Sequence, residues 1–210
     1  MCYVQQHVLP AYEMFDEAHK VDHVSKVISN SLSIASDYDV DINKIYVIAA
    51  YHDIGLQQGR KDHEKHSSAF LLSDEKLKEW FPADELTLMS EAIEDHRASN
   101  DYEPRSIYGK IVSEADRDLD YITVLRRCIQ YGIEYFSDYT YSRQLQRVYE
   151  HLQEKYGENG YIKLWLNTEY NRNNLSLIRT NLASAEKFKS DFTRIYNECK
   201  KQALSADFDG

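Results

Sequence analysis

Proline and glycine are scarce in this chain, three and seven among 210 residues. So few turn formers leave little room for the short strands and tight hairpins of a sandwich or barrel. Cysteine is scarce too. Cys2, Cys128 and Cys199 are odd in number, far apart and form no CxxC pair. That excludes a disulfide framework and fits free thiols in a reducing compartment. No apolar run approaches the ~18–20 residues of a transmembrane helix, and the N-terminal residues lack the basic-then-apolar pattern of a signal peptide. The expectation is a cytoplasmic protein with no membrane partner. Basic residues are in the minority: the net charge is −10 and the pI about 5.3, which argues against a binder of nucleic-acid polymers. A small anionic substrate remains compatible, because its charge is met locally. The chain also lacks a G-x-x-x-x-G-K-[ST] phosphate loop, a G-x-G-x-x-G turn, a G-x-S-x-G elbow and an H-E-x-x-H helix; His63-Glu64 has no second histidine at that spacing.

What is present is the helical period. Apolar residues recur at intervals of three and four through nearly every long segment, so the expected fold class is all-α. Val24, Val27, Ile28 and Ala35 follow His23, and Ile45, Ile48 and Ala49 lead into His52. Each run places its histidine on the buried face. Pro82 reads as a first-turn residue, and from there Leu86, Met89, Ile93 and His96 form a further stripe. Asp116 shares a face with Val112 and Leu119. The length suits one domain with a C-terminal extension, divided here as a core over 1–125 and a helical extension over 126–210 packed on it. In that extension Ile178, Leu182, Ala185, Phe192, Ile195 and Cys199 recur at roughly heptad spacing. This pattern fits either a helix packed on the core or a coiled-coil-like seam of a homodimer.

The most informative residues are His52 and Asp53, two adjacent metal-ligand types ending the apolar run of 46–55. A lone His-Asp pair is weak evidence, and a buried-face histidine is more often a hydrogen-bonded core residue than a ligand. The set reads differently. Asp53 and Asp116 on apolar stripes would each cost several kcal/mol if buried without a partner, and a shared cation supplies one. The bland alternative is ion pairing with Arg117, Lys110 or Arg60. Two imidazoles and two carboxylates suit a divalent ion such as Mn, Fe, Ni, Zn or Mg, which activates water and polarises a phosphoryl oxygen.

The order of one His, a His-Asp pair and a distant Asp resembles the HD-domain metal-dependent phosphohydrolase superfamily, and within it the small stand-alone HD hydrolases. The likeness covers roughly residues 8–125. It extends through Tyr12, Asp16, His19 and His23; Arg60, His63, Glu64 and Ser67; Ile93 and His96; and Lys110 with the run from Glu114 to Asp120. The resemblance implies an HD helical bundle with His23, His52, Asp53 and Asp116 as metal ligands. It also implies that His63 and His96 face a second metal or the substrate. Glu64 is a candidate general acid or base, or a surface glutamate. His19 is a candidate cleft residue or a helix-start residue, and Arg60, Lys61, Lys110 and Arg117 are candidate substrate-phosphate contacts. Leu56 stands where a nucleoside monophosphate-cleaving branch carries a glutamate, which counts against that activity. The implied enzyme hydrolyses a small phosphorylated substrate, a nucleotide above all, in the manner of a nucleoside triphosphate pyrophosphohydrolase. The competing readings are a metal- and nucleotide-binding or interaction module without turnover, and a phosphodiesterase or phosphomonoesterase of the same superfamily.

Overall fold

The protein's structure, a computed structural model, describes residues 2–15, 21–166 and 168–206. Among these the regular structure is helical and no strand occurs, as the spacing predicts. Ten α-helices follow one another: α1 (Cys2–His7), α2 (Val21–Ala35), α3 (Ile42–Tyr51), α4 (His63–Ser73), α5 (Ala83–Asp95), α6 (Ile107–Ala115), α7 (Tyr121–Tyr135), α8 (Tyr141–Tyr156), α9 (Glu169–Ala183) and α10 (Ala185–Ala206). Several begin at a side-chain cap. Asp41 accepts from the Asn43 amide ahead of α3, Ser106 from Gly109 ahead of α6, and Asp120 from Thr123 ahead of α7, each satisfying a donor that the first turn leaves open. Pro82 lies one position outside α5 as its cap, in extended conformation.

The chain forms two compact units. The first is Met1–Arg117 with Leu164–Leu166, and the second Asp118–Lys163 with Asn167–Gly210; the expected boundary at 125 lies inside α7. In the first unit α2, α3, α5 and α6 pack on one another and α4 docks on α5. Their apolar stripes close a core that includes Val24, Val27, Ile48, Ala49, Ile93 and Val112. Leu166 joins a smaller cluster with Ala35, Ile45 and Ile111.

In the second unit α10 packs against α7 and α9. The heptad-like run does not form one seam. The backbone turns extended at Ser184 between α9 and α10, and Ala185 is exposed. Ile178, Leu182, Phe192, Ile195 and Cys199 are all buried within the single chain, so the coiled-coil reading of this run is corrected. These side chains already have their packing partners. No helix among the described residues is long and apolar enough to cross a membrane, and Cys128 and Cys199 are free thiols.

Candidate metal centre

The ends of the core helices assemble the site. His52, His96 and Asp116 are the residues that follow the last turns of α3, α5 and α6. Three helix C-termini therefore bring their negative ends to one place, an arrangement that favours a cation. His23 reaches the cluster from the first turn of α2, and His63 opens α4.

Asp53 is the centre of the cluster. Its Oδ2 lies 3.2 Å from His52 Nε2 and 3.6 Å from His23 Nε2, while its Oδ1 lies 3.2 Å from His63 Nε2 and 3.4 Å from His96 Nε2. Asp116 Oδ1 closes the first side, 3.2 Å from His23 Nε2 and 3.8 Å from His52 Nε2. Two triads with ligand atoms mutually within 4.8 Å thus share one carboxylate: His23, His52 and Asp53, and Asp53, His63 and His96.

Three of the imidazoles are oriented in the same way. Nδ1 of His52 lies 2.7 Å from the Ala49 carbonyl, Nδ1 of His96 2.6 Å from Ile93, and Nδ1 of His63 3.1 Å from Arg60. In each case the partner is three residues earlier. A carbonyl accepts only, so Nδ1 donates and the neutral ring presents a lone pair at Nε2. For His52 that nitrogen is fully buried and has no hydrogen-bond partner. An orphaned imidazole lone pair facing the buried Asp53 and the half-buried Asp116 carboxylates fits a divalent ion of the nitrogen- and oxygen-binding class.

The electrostatics agree. Burial disfavours a charged His23, yet hydrogen bonds to Asp116 and Asp53 outweigh it and push its pKa up to about 9. Burial likewise resists a charged Asp53, but His52, His23 and His63 hold its carboxyl well below the usual range; Asp116 is depressed against the same penalty, chiefly by His23 and His52. Without an ion the cluster retains protons, and ion binding displaces them.

Two features outside the ligand set hold Asp53 and His63 in register. The Tyr12 hydroxyl, fully buried, donates to the Ala50 carbonyl at 2.8 Å and accepts from the Asp53 amide at 3.3 Å. Gly55 lies in the 3-10 turn Ile54–Gln58, and its amide donates to Ser67 Oγ at 2.8 Å. A Cβ at this position would collide with the His63 carbonyl oxygen and the Ser67 amide nitrogen. The absence of a side chain there lets α4 approach closely enough for His63 to meet Asp53.

The remaining expected residues are placed as follows. Glu64 is buried with its carboxylate 3.1 Å from Arg97 Nη1 and 3.5 Å from His63 Nδ1, on the side of that ring away from Asp53. Arg117, also buried, donates to the His96 carbonyl at 3.0 Å and to Ser113 Oγ at 2.7 Å; its geometry is that of a strut between α6 and His96. Lys110 forms an ion pair with Glu103. Arg60 and Lys61 are exposed just ahead of α4. His19 and Asp16 lie outside the described residues. Sequence reasoning missed Arg97, whose only signal was its position next to His96.

Comparison with known proteins gives a consistent picture. The family model of the HD domain matches residues 21–119, a span that includes all six residues of the cluster. No curated protein matches the chain. Among solved structures, a predicted HD superfamily hydrolase from an uncultured Thermotogales bacterium superposes with a TM-score of 0.51 at 24% identity, covering 71% of this chain and 83% of that one.

Proposed function

We propose that this chain, whose residues 21–119 match the family model of the HD domain, is a metal-dependent hydrolase of a small phosphorylated compound. The observation that carries this reading is Asp53, whose two oxygens face two different pairs of imidazoles. His23, His52, Asp53 and Asp116 would hold one divalent ion, and His63 and His96, with Asp53, would hold a second. Divalent ions supply activated water and neutralise charge developing on phosphoryl oxygens. The protein orients its imidazoles through their Nδ1 contacts and keeps Asp53 aligned through Tyr12. A hydrolase of this kind leaves ligand positions open for substrate, which the second side, with three protein donors, provides more generously than the first.

The finer part of the proposal is the substrate: a nucleotide, cleaved within a nucleoside triphosphate to release pyrophosphate. It draws on the likeness of Tyr12, His63, Glu64, Ser67 and His96 to the stand-alone HD hydrolases, and on Leu56, which leaves no carboxylate three residues after Asp53. The test is turnover of a nucleotide panel with Mn²⁺, with phosphate and pyrophosphate release measured separately and Asp53→Ala as the control. Pyrophosphate release that disappears in the variant supports the full reading. Cleavage of other phosphorylated metabolites alone refutes the nucleotide, and binding without any turnover refutes the enzyme.

A further inference from the structure

We infer that Arg97 is the residue that grips the substrate's phosphate, with the Glu64 carboxylate occupying its guanidinium when substrate is absent; the inference rests on the phosphohydrolase reading above. An anion approaching His63 and His96 needs a cation with free donors beside them. Three other cations of the first unit, Arg117, Lys110 and Arg105, are committed elsewhere. Arg117 is buried and bound to the His96 carbonyl and Ser113. Lys110 is paired with Glu103, and Arg105 is surrounded by Asp95, Glu94 and Glu91.

Arg97 differs in each respect. It follows His96 directly, so its backbone is fixed by the same helix end. Its side chain is 39% exposed, and among the described residues its partner is a single carboxylate oxygen, Glu64 Oε2, at 3.1 Å from Nη1. A guanidinium has five N–H donors in a planar fork, so one contact leaves most of its donors unengaged. Glu64 in turn lies 3.5 Å from His63 Nδ1, which holds the tethered guanidinium beside the His63 ring. A phosphate offers two oxygens in the spacing that the fork matches, and displaces the carboxylate without requiring the backbone to move.

The experiment uses the full chain loaded with Mn²⁺, with inorganic phosphate and pyrophosphate as probes in calorimetry, metal content measured on every sample, and steady-state kinetics on a turned-over substrate. Arg97→Met is expected to retain wild-type metal content while its phosphate affinity falls on the order of ten-fold or more, with the loss appearing in KM more than in kcat. Arg97→Lys should fall between the two, keeping the charge and losing the fork. Glu64→Gln, which releases the tether, should bind phosphate as well as wild type or better. If Arg97 serves only to fix Glu64, the Met and Gln variants weaken phosphate binding alike, which overturns the assignment. Unchanged phosphate affinity in Arg97→Met overturns it too, as does a loss that tracks lost metal. A wild-type protein that holds Mn²⁺ and binds neither probe removes the phosphohydrolase reading itself, an outcome distinct from equal binding by wild type and variant.

Discussion

The two sides of Asp53 are built differently. The side of His23, His52 and Asp116 draws on α2, α3 and α6, offers four protein donors with Asp53, and includes an imidazole nitrogen, His52 Nε2, that is fully buried and without a hydrogen-bond partner. The side of His63 and His96 draws on α4 and α5 and offers three donors with Asp53. Its His63 depends on a docking contact at Gly55 rather than on a core stripe. More donors mean tighter, slower-exchanging ion binding; fewer donors mean more positions for water and phosphate. On the proposed reading, the first side would retain its ion and the second would be the side where ligands exchange.

Asp53→Ala removes the shared carboxylate and should erase the distinction altogether. Both ions are expected to be lost in elemental analysis, with turnover reduced by about a thousand-fold or more. His63→Ala tests whether the sides are separable: one ion should remain bound after dialysis, the second should be lost, and activity should fall roughly ten- to a hundred-fold. A His63→Ala protein that retains neither ion shows that the two sides form one indivisible site. Gly55→Ala should give a milder form of the same phenotype, because the added Cβ pushes α4 away while leaving His23, His52 and Asp116 untouched. Equal weakening of both ions in that variant would falsify the separate dependence on α4.

This asymmetry also decides how much of the site was legible in the sequence. His23, His52, His96 and Asp116 stood out because helical period places them on apolar stripes, with Asp53 adjacent to His52. Their reading as ligands, and that of His63, came from the resemblance. The use of Nδ1 on a carbonyl three residues back depends on backbone positions at helix ends, which periodicity does not specify. Arg117 looked like a phosphate contact because an arginine beside a ligand suggests one. Its burial is set by the approach of α5 to α6, a contact between segments about 20 residues apart. The ion pair of Arg97 with Glu64 likewise links residues 33 apart. In the second unit the break at Ser184 was invisible, since Ala183, Ser184 and Ala185 include neither proline nor glycine and the apolar spacing runs on through them.

The struts give smaller and more discriminating effects. Arg117→Met deletes two buried charge-assisted hydrogen bonds and leaves the His96 carbonyl and Ser113 Oγ to find other partners. A loss of about 1–3 kcal/mol in thermal or denaturant unfolding is expected, with weaker retention of the second ion and little change in the first. Tyr12→Phe is the finest test. The ring stays packed, but the Ala50 carbonyl loses its donor and the Asp53 amide its acceptor. The expected cost is about 1 kcal/mol. Because Asp53 serves both sides, Tyr12→Phe should lower the affinity of the two ions by similar, few-fold factors, in contrast to the one-sided loss in His63→Ala. Calorimetric Mn²⁺ titration resolves the two cases. A Tyr12→Phe protein that loses only the weaker ion shows that the tyrosine supports α4 rather than the carboxylate, and the asymmetry then begins at Asp53 itself.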